Sequence, residues 1–92
     1  MSFLSRLFGG ANKYNDTQLV SVATTAITAD PMISDPGTLV VTSKNGVITL
    51  SGIVQRAQEK DRIEGVIRNS FTTMGLKHEQ IINELKLPYS DR

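Results

Sequence analysis

Leu39–Lys44, Asn45-Gly46 and Val47–Ile53 read LVVTSK-NG-VITLSGI, and this stretch decides the fold. Two runs rich in β-branched residues flank Asn-Gly. That dipeptide suits a two-residue hairpin turn because both turn positions need positive φ. Asn45 and Gly46 are therefore structural, turn-forming residues. A two-residue turn also fixes the register. Lys44 then faces Val47, Ser43 faces Ile48, Thr42 faces Thr49, Val41 faces Leu50, and Leu39 faces Gly52. Side chains alternate across a strand. Leu39, Val41, Ile48 and Leu50 thus share a face that must be core. Val40, Thr42, Lys44, Val47, Thr49 and Ser51 share the other, which is mostly polar and can meet water.

Upstream, Asn15-Asp16-Thr17-Gln18 has the form of a capping box, with Tyr14 and Leu19 at the two staple positions. Asp16 lies in the first turn, where the helix dipole favours negative charge. Leu19, Val22, Ala23, Ala26 and Ile27 follow at helical spacing. Asp30-Pro31 stops this helix, because the residue before proline avoids the α region. Asp35-Pro36-Gly37 marks a second turn. Downstream, Arg56–Thr72 is predicted to be a helix, with Ile63, Val66, Ile67 and Phe71 as its apolar stripe. Gly65 interrupts it at about 1 kcal/mol relative to Ala, and is expected to admit a close neighbour. Gly75 is the expected stop. Gln80–Leu87 alternates again: Ile81, Asn83, Leu85 and Leu87 on one face, Ile82, Glu84 and Lys86 on the other. Pro88 ends it. The expected fold class is α+β, in the order αββαβ. A three-stranded mixed sheet carries both helices on one face, and the last strand reaches a parallel position through a crossover.

The chain has 92 residues, enough for one domain with a modest core. Ten Lys/Arg against nine Asp/Glu leave a formal charge of +1. That balance gives no basic face for bulk nucleic-acid binding. There is no cysteine and one histidine, so thiol catalysis, disulfides and Cys or multi-His metal sites are excluded. No apolar run approaches the ~18–20 residues that span a bilayer. Ser51-Gly52 lacks the surroundings of a nucleophile elbow. Asp30 and Asp35 read as turn formers rather than cation ligands. His78 reads as a solvated loop residue, Gln58–Arg62 as a solvated helix face, and Asn83 as a hydrogen-bonded amide on an apolar face. The composition points to a non-catalytic protein with no resident cofactor.

The segment Met1–Ala11 reads MSFLSRLFGGA. Phe3, Leu4, Leu7 and Phe8 fall on one face of a short helix, and Ser2, Ser5 and Arg6 on the other. Burying the four apolar side chains gains at most about 6–12 kcal/mol, against roughly 8–16 kcal/mol to order the backbone. The segment therefore needs a surface: its own domain, a partner or a membrane. Ser5 and Arg6 break the apolar run that a secretory signal requires, so a cytoplasmic location, peripheral at the membrane, is expected.

Asn45–Val54, followed by a charged helix and then Ile82-Asn83-Glu84-Leu85-Lys86-Leu87, resembles the BON domain family. The resemblance covers roughly Asp16–Leu87. It places the family's pattern glycine on Gly52 and its closing asparagine on Asn83. Two departures are the long Thr72–Glu79 connection, where the family has a short turn, and the missing signal peptide. The resemblance implies an αββαβ fold and a phospholipid- or protein-binding module of envelope and stress proteins. The expected organisation is an amphipathic segment at 1–13, a BON-like domain at 14–88 and a tail at 89–92. Phe3, Leu4, Arg6, Leu7 and Phe8 would dock on an anionic phospholipid surface or a protein partner. Thr42, Lys44, Thr49 and Ser51 would form a second contact on the sheet face. Two alternatives stay open. One is a cytoplasmic potassium sensor, since a cytoplasmic relative senses that ion and backbone carbonyls leave almost no trace in a sequence. The other is an adaptor subunit of a homo-oligomer or larger assembly, joined through an open sheet edge.

Overall fold

The computed structural model describes residues 14–88. The segments expected at 1–13 and 89–92 lie outside the described residues, and with them Phe3, Leu4, Arg6, Leu7 and Phe8.

Helix α1 spans Asp16–Ala29, strands β1 and β2 span Leu39–Lys44 and Val47–Ile53, helix α2 spans Ala57–Met74, and strand β3 spans Gln80–Lys86. The sheet order is β1-β2-β3. The hairpin β1–β2 is antiparallel and pairs Lys44 with Val47 through to Leu39 with Gly52, the register that the Asn-Gly turn dictates. Both turn residues have positive φ, 52° at Asn45 and 83° at Gly46. β3 lies parallel to β2, from Val47 opposite Gln80 to Ile53 opposite Lys86.

The caps follow from their residues. Asn15 Oδ1 accepts from the Gln18 amide at 3.1 Å, which satisfies one of the free N–H groups at the start of α1. α2 runs two residues beyond the expected Thr72 and closes at Gly75, whose φ is 69°. There the Leu76 amide donates to the Phe71 carbonyl at 2.8 Å, and the Gly75 amide to that of Thr72 at 3.2 Å. This left-handed closure satisfies the last carbonyls and turns Leu76 back toward the core. The connection to β3 is therefore Gly75–Glu79, shorter than the sequence suggested.

The core lies between the helix layer and one sheet face. Leu19, Ala23 and Ile27 come from α1, Ile63, Ile67 and Phe71 from α2, Ile48 and Leu50 from β2, and Leu85 from β3. Ile33 and Val54 seal it from the loops. Val66, expected on the inner stripe of α2, is only half-buried.

Three further expectations are corrected. A Cβ on Gly65 would meet nothing within 4 Å, so no neighbour approaches there. Glu59 belongs to the run expected to be solvated, yet it is 3% exposed. It stands one turn before Ile63 on the inner stripe, beneath the loop that leaves α1. The Ser34 hydroxyl donates to it at 2.6 Å, and Arg56 lies 3.4 Å away. His78 is half-buried rather than solvated, its ring 5.0 Å from that of Phe71. No described helix is long and apolar enough to cross a membrane.

Candidate functional site

Both helices cover one side of the sheet, and no other described element covers its other side. Register places its side chains in rows. Lys44, Val47 and Gln80 form the row at the turn end; then come Thr42, Thr49 and Ile82, followed by Val40, Ser51 and Glu84. Ile53 and Lys86 close the far end. Thr42, Lys44, Thr49 and Ser51, singled out in the sequence, thus share one surface, with Thr42 directly opposite Thr49. Thr42 and Lys44 are exposed, and Thr49 and Ser51 half-buried. Val40 and Ile53 are also exposed, at 53% and 37%. The result is a face of hydroxyls and apolar side chains, with Gln80 at its turn end. Lys44 and Lys86 occupy diagonally opposite corners, and Glu84 sits in the row next to Lys86.

This face is fixed in place from its turn end. The Asp16 carboxylate accepts from the Ser43 hydroxyl at 2.7 Å, the Asn45 amide at 2.8 Å and the Gly46 amide at 2.9 Å. A residue expected to serve only the helix dipole therefore also caps the hairpin. The Gly46 carbonyl accepts from the Glu79 and Gln80 amides at 2.7 and 3.3 Å, which sets where β3 begins. Tyr14 lies over Gly46 so closely that a Cβ there would be 2.6 Å from its ring. The Tyr14 hydroxyl donates to Glu79 at 2.5 Å. That carboxylate pushes the phenol above its ordinary pKa, because it stabilises the protonated form.

Gly52 and Asn83 hold the far end and the inner side. Gly52 has φ 125°, and a Cβ there would be 2.3 Å from the Thr38 carbonyl oxygen. The Thr38 hydroxyl in turn donates to the Ile53 carbonyl at 2.8 Å. Asn83 Nδ2 donates to the Lys60 carbonyl at 2.9 Å and to Glu64 Oε1 at 3.1 Å. Those two bonds fasten β3 to α2, while the Asn83 Oδ1 accepts from the Leu85 amide of the same strand at 3.2 Å. Arg68, 2.6 Å from Glu64, is the larger cause holding that carboxyl below the ordinary range, and Asn83 adds to it.

The loop after α1 is held as firmly. Arg62 donates to both oxygens of Asp30, at 2.9 and 3.0 Å. This pairing lowers the Asp30 carboxyl and leaves it engaged by a guanidinium. Sequence reasoning missed the Tyr14–Glu79, Asp16–turn and Asp30–Arg62 links, which join residues about 30 to 65 positions apart. No local periodicity signals such pairs. Among the described residues, no group of three or more His, Cys, Asp or Glu is placed to hold a metal ion.

The two-layer αββαβ fold, with one sheet face uncovered among the described residues, is the architecture of a small binding module. The chain belongs to the BON domain family: the model of the BON domain matches residues 15–72, from the cap of α1 through most of α2. β3, beyond that match, completes the sheet. A comparison with curated proteins finds no match.

Proposed function

We propose that the chain is a non-catalytic BON-type binding module that docks peripherally on an anionic phospholipid surface. The observation that carries this reading is the sheet face that no described element covers, with Lys44 and Lys86 at opposite corners of a surface of hydroxyls and apolar groups that also holds Gln80 and Glu84. Each lysine near an anionic bilayer contributes about 1 kcal/mol. Two lysines offset by Glu84 give a weak electrostatic hold, so an apolar anchor is needed as well. Phe3, Leu4, Leu7 and Phe8 supply that anchor, and Arg6 adds one more positive charge beside it.

Flotation of the full chain with anionic and with zwitterionic vesicles tests the reading. The chain should float with the anionic vesicles only. Lys44→Gln with Lys86→Gln should cut the bound fraction by roughly tenfold or more. Absence of flotation removes the lipid reading. A protein partner is the second reading, favoured by the outer edges of β1 and β3, which no described strand pairs and to which an extended segment could add.

A further inference from the structure

The two helices leave a groove between them on the side away from the sheet. Val22, Ala26 and Ala29 line it from α1, and Ser70, Thr73 and Met74 from α2. The α1 residues stand at i, i+4 and i+7, a continuous stripe beside the core stripe of Leu19, Ala23 and Ile27. The short side chains on both walls leave space for another helix to approach closely. Among the described residues, no charged side chain lines the groove. Met74, on its α2 wall, is 57% exposed.

We propose that the chain's own Met1–Phe8 segment occupies this groove. At helical spacing its Phe3, Leu4, Leu7 and Phe8 would share one side, and Ser2, Ser5 and Arg6 the other. The reach is sufficient. Five residues lie between Phe8 and Tyr14, and the six steps reach up to roughly 20 Å of extended chain. Val22 lies eight residues beyond Tyr14, about 12 Å along α1. The entry point is also right. The hydroxyl of Tyr14 bonds Glu79, five residues after Met74, so the chain arrives near the end of the groove that Met74 lines. Gly9 and Gly10 permit the reversal needed to run back along α1. Phe8 then meets Val22 and Met74, and Phe3 lies toward Ala29.

Charge decides between the two open surfaces of the domain. An apolar helix on the bare sheet would bury Lys44, Glu84 and Lys86, which is costly. The groove has no charge to bury. Tethering also raises the segment's effective concentration to the millimolar range, so a contact too weak for a free peptide persists within the chain. The inference does not rest on lipid binding.

The test compares amide and methyl NMR spectra of the full chain, without vesicles, with those of a Phe3→Ser/Leu7→Ser variant. The variant should shift Val22, Ala26, Ala29, Ser70 and the Met74 methyl, and leave Thr42 and Thr49 in place. Ala26→Asp, with the Ile48 and Leu50 amides unchanged as proof of folding, should shift the Phe3 and Phe8 amides. Both sets of shifts should survive tenfold dilution. Unmoved groove signals, or shifts at Thr42 and Thr49 instead, overturn the proposal. Shifts that fade on dilution also overturn it, and assign the groove to a second copy of the chain.

Discussion

Gly52 and Gly75 both adopt positive φ, but their surroundings differ. A Cβ on Gly52 would be forced to 2.3 Å from the Thr38 carbonyl, whereas one on Gly75 would meet nothing within 4 Å. Gly52→Ala must displace backbone and should destabilise by ~3 kcal/mol or more. Gly75→Ala carries only left-handed strain, about 1–2 kcal/mol. Urea unfolding should rank them in that order. Gly65→Ala should go the other way and stabilise by about 0.5–1 kcal/mol, since the helix is relieved of a glycine and nothing is crowded. The carboxylates make an equally specific claim. The Ser34 hydroxyl holds Glu59 below the ordinary range despite its burial, as Arg68 holds Glu64 and Arg62 holds Asp30. Each folded pKa lies below its unfolded value, so the unfolded chain takes up protons first and stability rises with pH through that window. Their contribution is complete above pH ~4.5 and is lost as pH falls through the lowered folded values. The melting temperature should therefore drop between pH 5 and 3, and Glu59→Gln should flatten that slope. An unchanged slope would place the linkage elsewhere.

At the level of elements, the hairpin was fully legible, because its register depends on a turn two residues long. Thr42 facing Thr49 followed at once, and half of the candidate face with it. The contribution of β3 was less legible. Its alternation put Ile82, Glu84 and Lys86 on one side, but no adjoining turn sets a parallel strand's position. Here the Gly46 carbonyl sets it, through the amides of Glu79 and Gln80. The caps show the same division. Asn15 acts over three residues and was plain, whereas Asp16 reaches a turn some thirty residues away. Glu59 looked solvated because charged neighbours surround it in sequence, and only the Ser34 loop lying over it accounts for its burial. Asp16→Ala removes the acceptor for one hydroxyl and two turn amides. It should cost about 1–3 kcal/mol and speed hydrogen exchange at Asn45 and Gly46 beyond that at Ile48. Equal acceleration throughout the hairpin would show that Asp16 supports the whole domain rather than the turn.

Across the whole molecule, the two open surfaces have different characters: the sheet face is wide and lightly charged, and the helix groove narrow and uncharged. If the N-terminal segment rests in the groove, anchoring it in lipid means drawing it out. Ala26→Asp should then increase flotation with anionic vesicles several-fold, whereas a hook that is always free would leave flotation unchanged. The sheet has a further consequence. Among the described strands β2 alone is paired along both edges, and β3 provides one of those edges through seven residue pairs. Residues 15–72, the extent of the family match, include β2 but omit β3. A fragment cut to those limits would present Val47–Ile53 as an unguarded template onto which further copies could stack, and light scattering should reveal it as aggregate. What keeps the most apolar of the described strands from becoming the seed of a fibre is the strand that lies beyond the matched residues.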